Sequence, residues 1–232
     1  MYWKIITILG IFLIFVSIYN HIQISDIFVN KLNFDNKKLS SVLRITQISD
    51  YHANNRIDSK KLLDEIIHFN PHIIVLTGDI IDSKTKDIYP TLSLIRKLVG
   101  INSNIFFVIG NHELGNKNGG RFISSLKEMG VIVLDNNRQT VEIEGERINI
   151  CGLSFFATRK DYEETMKGID KGDYTLLLSH SPNRPIDYSL GIEDLVLTGH
   201  THGGQVRLPI IGAIISPGQG LFPKFDKGVF KI

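Results

Sequence analysis

Between residues 42 and 129 the chain repeats one pattern three times: an apolar run rich in β-branched residues, a polar loop opening on an ionisable or amide side chain, then a segment with apolar spacing near 3.6. The run 42–49 leads into Asp50-Tyr51-His52 and a helix expected over 59–70, where Leu62, Leu63, Ile66 and Ile67 share a face and Pro71 stops it. The run 72–77 ends at Gly78-Asp79 before a helix expected over 89–99. The run 105–109 ends at Gly110-Asn111-His112-Glu113 before a helix near 120–129. Strands alternating with helices imply an α/β fold, in which polar residues just past the strand C-termini converge on one sheet edge. A functional site is expected there.

Beyond residue 131 the character changes. Runs 140–144 and 147–151 flank Gly145-Glu146 as a hairpin, and helical periodicity becomes scarce, so the second half reads as β-rich. Runs 174–178 and 195–197 precede Ser179-His180-Ser181-Pro182 and Thr198-Gly199-His200-Thr201-His202-Gly203-Gly204-Gln205. A length of 232 residues suits one catalytic domain. The net charge of +2 comes from scattered residues, without the concentrated basic footprint of a nucleic-acid binder, so no specific nucleic-acid partner is expected. The lone Cys151 sits in an apolar run and reads as a buried, inert thiol; no intrachain disulfide can form.

The N-terminus carries a separate signal. Residues 5–19 are almost wholly apolar, broken only by Thr7, Gly10 and Ser17. At about 1.5 Å per helical residue that stretch is short for a hydrocarbon core of roughly 30 Å, although Tyr2, Trp3, Ile22 and Ile24 extend it towards both interfaces. A membrane span and a secretory signal compete for it. The exit Ser17-Ile18-Tyr19-Asn20-His21 has no A-x-A-like cleavage site, which favours residues 1–20 as an anchor or uncleaved signal ahead of a domain over 21–232. The N-terminal amine and Lys4 favour an inside start, which places the domain of a membrane-anchored protein outside the cytoplasm, the orientation expected here, although Lys31, Lys37, Lys38 and Arg44 on the far flank outnumber them and pull the other way. Residues 21–25 alternate polar and apolar and read as a strand.

Five of the eight histidines directly follow β-type runs, beside Asp, Asn or Gly, in loops largely free of Lys and Arg. Neutral imidazole with carboxylate and amide oxygen suits Zn, Mn or Fe better than Ca or Mg. Singly, the motifs differ in weight. Asp50-x-His52 fits a solvated turn as well as a ligand pair sharing one face of an extended segment. Gly78-Asp79-x-x-Asp82 fits a strand-to-helix turn with a capping carboxylate as well as a ligand. Asn111-His112 is sharper, because an amide oxygen can ligate beside an imidazole. Gly199-His200-Thr201-His202-Gly203-Gly204 is the strongest, with alternate His side chains sharing a face and glycines admitting close backbone approach. His180 gains its weight from the others, while His21, His68 and His72 read as surface or core-edge residues.

Taken in order, Asp50-x-His52, Gly78-Asp79-x-x-Asp82, Gly110-Asn111-His112-Glu113, His180 and Gly199-His200-x-His202 resemble the five signature blocks of the calcineurin-like metallophosphoesterases. The form Thr198-Gly199-His200-Thr201-His202-Gly203-Gly204-Gln205 looks like the membrane-associated bacterial branch. The resemblance covers about residues 44–205. It implies a four-layer αββα sandwich of two mixed sheets flanked by helices, and two divalent transition-metal ions (Mn, Zn or Fe). Asp50, His52, Asp79 and His202 would hold one ion; Asp79, Asn111, His180 and His200 would hold the other. Metal-activated water would attack the phosphoester substrate, with His112 as the proton donor and Asp82 and Glu113 holding ligands in place. Family members continue after the fifth block through a hairpin and strands that complete the second sheet. This chain stops at Gly228-Val229-Phe230-Lys231-Ile232, which alternates like an opening strand, so a truncated domain lacking its C-terminal strands is expected.

The function implied is a phosphodiesterase or phosphatase. Two alternatives stand beside it: a membrane-lipid pyrophosphatase of the UDP-2,3-diacylglucosamine hydrolase type, suggested by the anchor, and a non-catalytic metal-binding scaffold, which would leave His112 without a task.

Overall fold

The computed structural model describes residues 2–208 and 212–231. Helix α1 (Tyr2–Ser25) opens the chain. Its 24 residues rise about 36 Å, enough to cross a bilayer, and Tyr2–Tyr19 is apolar enough to do so. None of that window is buried against the protein. The strand expected over 21–25 is corrected, because those residues complete α1. Extending an existing helix adds one hydrogen bond per residue, which five alternating residues without a strand partner cannot match.

The repeat over 42–129 gives a sheet of β1 (Ile45–Ile48), β2 (Ile73–Leu76), β3 (Ile105–Val108) and β4 (Ile132–Leu134), ordered β1-β2-β3-β4 and parallel throughout. It is therefore not mixed. Each connection carries helix: α2 (Ser59–Phe69), α3 (Tyr89–Ile101), then α4 (Asn111–Gly115) with α5 (Gly119–Glu128), the crossovers that parallel pairing requires. Asp58 caps α2 by accepting from the N–H groups of Lys60 and Lys61, and Asn70 ends it in the left-handed conformation (φ 49°).

A second sheet, ordered β5-β6-β7-β8, is mixed. Strands β5 (Asn137–Ile143) and β6 (Glu146–Leu153) form the expected hairpin, and β7 (Tyr174–Ser179) and β8 (Leu195–Thr198) add in parallel. Helices α6 (Arg159–Met166) and α7 (Asn183–Tyr188) lie between these strands and correct the expectation of a helix-poor second half.

Strand alternation sorts the core into three clusters. Ile74, Leu76, Ile105 and Phe107 pack with Ile66, Leu92, Ile95, Phe122 and Leu126 of the helices. Their neighbours Ile73, Val75, Phe106 and Val108 meet Ile148, Ile150, Leu176 and Leu178 of the second sheet. Cys151, Leu153 and Leu177 pack with Tyr162 and Met166 of α6. Strands buried on both faces explain the continuous apolar runs.

A small antiparallel sheet of β9 (Val206–Leu208), β10 (Gly212–Ser216) and β11 (Gly220–Leu221) follows, which the sequence did not announce. No strand covers 228–231, correcting the expected strand opening; Ile232 lies outside the described residues. Gly228 turns the chain at φ 112°, and the Phe230 ring packs edge-on against Phe225 with centroids 5.1 Å apart.

Candidate metal centre

Every residue singled out from the sequence sits just past a strand C-terminus: Asp50 and His52 after β1, Asp79 after β2, Asn111 and His112 after β3, His180 after β7, His200 and His202 after β8. The local backbone differs from expectation. Asp50 (φ 52°), His52 (51°), Asp79 (53°), His200 (71°) and His202 (53°) all adopt the left-handed conformation, so neither Asp50-x-His52 nor His200-x-His202 is an extended segment sharing a face. Such conformations cost about 1–3 kcal/mol each for residues with a Cβ and persist only where the surroundings over-determine them.

The surroundings do so here. Asp50 N–H donates to Gly78 O (3.1 Å), His52 N–H to Asp79 O (2.9 Å) and Gly199 N–H to His180 O (2.9 Å). His200 N–H donates to both carboxylate oxygens of Asp50 (3.1 Å each). Glu113, 1% exposed, accepts from four backbone N–H groups: Asp79 and Gly110 on one oxygen, Ile80 and Ile81 on the other, at 2.7–3.0 Å. It thus clamps the backbone around Asp79. Two glycines are required by close approach: a Cβ on Gly110 would strike the Asp79 carboxylate, and one on Gly199 would strike Ser49 Oγ and the Asp50 carboxylate.

The side chains converge in groups able to hold a metal ion: Asp50, His52 and His202; Asp79, His180 and His200; and His52, Asp79 and His112. In the first, His52 Nε2 lies 3.4 Å from His202 Nε2, and Asp50 Oδ1 lies 3.5 Å from His202 Nε2 and 4.0 Å from His52 Nε2. In the second, His180 Nε2 lies 3.1 Å from Asp79 Oδ2 and 3.2 Å from His200 Nδ1. Bonds of about 2.0–2.2 Å to a common ion set neighbouring ligand atoms about 3–3.6 Å apart, which the separations of 3.1–3.5 Å match and the 4.0 Å between Asp50 and His52 exceeds. Asp79 Oδ2 also lies 4.0 Å from His52 Nε2 and joins the two groups.

Orphaned polar atoms point the same way. Asp79 Oδ2 and Asn111 Oδ1 are buried, and neither makes a hydrogen bond of acceptable geometry. Such atoms cost stability unless something else satisfies them, and a cation would. His180 Nδ1 lies 2.7 Å from Thr77 O, a backbone partner that leaves Nε2 free to face Asp79 and His200.

His112 belongs to the third group, with His52 and Asp79. Its Nδ1 accepts from Ser83 N–H (3.0 Å) and lies 3.0 Å from Asp82 Oδ2; its Nε2 is 3.8 Å from Asp79 Oδ2. The neutral ring can accept there from Ser83 and carry its proton on Nε2, whereas the protonated ring directs Nδ1–H to the Asp82 carboxylate. Asp82 also accepts from Lys84 N–H (2.8 Å), so it both closes a turn and supports His112.

Burial and charge divide the groups electrostatically. Burial, reinforced by the charge of His180, pulls His200 down to about 4, leaving its lone pair available at neutral pH. Burial likewise lowers His52 against the pull of Asp79. Burial alone would raise Asp79, yet His180 and the His112 N–H hold it below the usual carboxylate range. For His180 burial opposes the charge, but Asp79 and Asp50 win and raise it. Cys151, pushed up to about 12 by burial, is inert.

Some contributors escaped the sequence reading. Gln47 Nε2 donates to Thr77 Oγ1 and Thr198 O, both at 2.9 Å, tying the two sheets together beneath the site. Thr201 Oγ1 donates to Asp226 O (2.6 Å), anchoring the loop that carries His200 and His202. Phe155, just past β6, packs its ring 5.3 Å from His200 and 5.9 Å from His180. The strand-end rule that exposed the other loops also points to Ser154-Phe155-Phe156.

The family model for calcineurin-like phosphoesterases matches residues 43–204. The chain is 33% identical to the metallophosphoesterase YkuE of Bacillus subtilis (strain 168), covering 76% of this chain and 64% of YkuE. It is 30% identical to YkoQ of the same organism, covering 88% of this chain and 78% of YkoQ. The chain therefore spans just under two thirds of YkuE's length. Among solved structures, the NAD nucleotidase NadN of Haemophilus influenzae superposes with a TM-score of 0.51 at 19% identity, over 69% of this chain and 43% of that one, a likeness of fold alone.

Proposed function

Because the chain belongs to the calcineurin-like phosphoesterase family, we propose that it is a metal-dependent phosphoester hydrolase with a dinuclear centre. Asp50, His52, Asp79 and His202 would hold one ion and Asp79, Asn111, His180 and His200 the other, Asp79 being common to both sets. The observation that carries this reading is Asp79 Oδ2, a buried carboxylate oxygen without a hydrogen bond, close to imidazole nitrogens of His180, His112 and His52. Ions bound there supply Lewis acidity to a phosphoryl oxygen and acidify a water for attack near neutral pH. The backbone clamp of Glu113 and the bonds among the strand-end loops hold the ligands in place before substrate arrives. His112 would act as the imidazolium, with its Nδ1–H towards the Asp82 carboxylate, giving its Nε2 proton to the leaving oxygen and returning to the neutral ring. The three apolar clusters are read as the three interfaces of a four-layer αββα sandwich.

The substrate is a phosphodiester or phosphomonoester. The exposed apolar helix α1 favours a second reading, in which a bilayer tether brings the site to a lipid-linked pyrophosphate. The test uses the full chain in detergent, loaded with manganese or zinc and assayed on nitrophenyl phosphate mono- and diesters and a UDP-linked lipid, beside His112→Ala. Hydrolysis that falls about 10²–10⁴-fold in the variant supports the reading. Metal binding without hydrolysis of any of these esters favours the scaffold, and equal rates in both proteins remove His112 as the acid.

A further inference from the structure

Arg184 is linked to the His180–His200 end of the site through the ring of Phe155. It lies on α7, four residues after His180, half-buried, with its guanidinium 5.7 Å over the ring of Phe155. Phe155 in turn touches both His180 and His200. Arg184 Nε is buried without a hydrogen-bond partner, and among the described residues no carboxylate pairs with the guanidinium. A buried Nε without a partner is costly, whereas a guanidinium held on an aromatic face and offered an oxyanion forms strong bidentate bonds. Its neighbour Asn183 donates from Nδ2 to Gly218 O (2.8 Å), fixing this end of α7 against the chain beside His200.

The placement relative to His112 sets what Arg184 can bind. The His112 ring packs on His52, with centroids 4.6 Å apart, at the other end of the cluster. A leaving group protonated by His112 would depart at that end, and the part that stays behind would lie towards the His180–His200 end, where Arg184 packs on Phe155. We propose that Arg184 is a positioning and specificity residue that receives a second oxyanion, phosphate or carboxylate, carried by the retained part of the phosphoester. This rests on the phosphoesterase reading of the site. The enzyme then prefers esters bearing two anionic groups over singly charged ones.

The test measures binding as well as turnover. Full chain in detergent, at fixed free manganese, is titrated calorimetrically with methylphosphonate, methylenediphosphonate and phosphonoacetate, in wild type, Arg184→Gln and Arg184→Lys. Wild type is expected to bind one or both of the doubly anionic ligands about ten- to hundredfold more tightly than methylphosphonate, with the tighter of the two identifying the second group as phosphate or carboxylate. Arg184→Gln should erase that preference, and Arg184→Lys should restore part of it, since charge returns without the planar fork. In turnover, the Gln variant should raise KM for a doubly anionic ester more than it lowers kcat. Absence of a preference in wild type overturns the proposal, as does an equal loss for all three ligands in a Gln variant that melts like wild type. If Arg184→Gln fails to fold, the Lys variant decides, and an undiminished preference there counts against the guanidinium. Wild type that hydrolyses no phosphoester yet shows the binding preference defeats the phosphoesterase reading and leaves the role of Arg184 as an oxyanion receptor standing.

Discussion

Glu113 is the residue on which the geometry around Asp79 depends most. Its two oxygens accept four backbone N–H groups at 1% exposure, and burial raises its pKa against them. Glu113→Gln turns one acceptor into a donor facing two N–H groups, so it should lower stability by about 1–3 kcal/mol and weaken metal binding, read by thermal melting and metal titration. The histidines give a pH signature in the metal-free protein. His200 titrates at about 4 when folded against a usual 6.5, so between those values the unfolded chain binds the extra proton. Stability from this group is therefore present above about pH 6.5 and lost as pH falls towards 4. His180, shifted upward, contributes in the opposite sense: its share is present at low pH and fades as pH rises through its folded value. Melting curves from pH 7 to 4 should show the loss, and the slope should shrink in His200→Gln. The identities of these residues were legible from their positions after apolar runs. Their left-handed backbones were not, because a φ near 50° at His52 or Asp79 is imposed by hydrogen bonds from distant loops and leaves no local mark on the sequence. Glu113 was seen as a helper, but its partners are backbone groups, which motif reading does not weigh.

The parallel strands are legible for a physical reason: buried on both faces, β2 and β3 have no polar residue to blur the run. Phe106, fully buried in the cluster joining the two sheets, should cost about 3–5 kcal/mol as Phe106→Ala, measured by denaturant unfolding of the metal-free protein. The helices divide into legible and illegible ones by length and chemistry. Helix α2 shows a full apolar face over three turns, whereas α4 has five residues and α7 has six with Pro185 inside, too few for periodicity to register. Helix α6 did leave a signal: Thr158 and Asp161 form a capping box, with Asp161 Oδ2 accepting from Thr158 N–H at 2.8 Å. The small antiparallel sheet of β9, β10 and β11 was hidden because its strands have only three, five and two residues.

At the scale of the molecule, α1 stands apart from the rest. The contacts found at its end are Asn54 Nδ2 donating to Ile24 O (2.8 Å) and an exposed Lys61–Asp26 pair at 3.4 Å, while Trp3 is 81% and Phe15 67% exposed. An exposed pair of that kind adds little stability. Full-length protein should therefore sediment with membranes and need detergent, and removal of residues 2–25 should release it with its melting temperature nearly unchanged; a freely soluble full-length chain would count against the tether. The remaining claim is that the five strand-end loops, gathered from both sheets, form one dinuclear hydrolytic centre around Asp79. Its most direct measurement is titration of metal-free, full-length protein with manganese, following bound metal by equilibrium dialysis and hydrolysis of a nitrophenyl phosphodiester in the same samples. Two ions bound per chain are expected, with activity that rises with occupancy of both and loss of both ions' tight binding in Asp79→Asn. Binding of one ion or none, or hydrolysis that persists after complete metal removal, would contradict it.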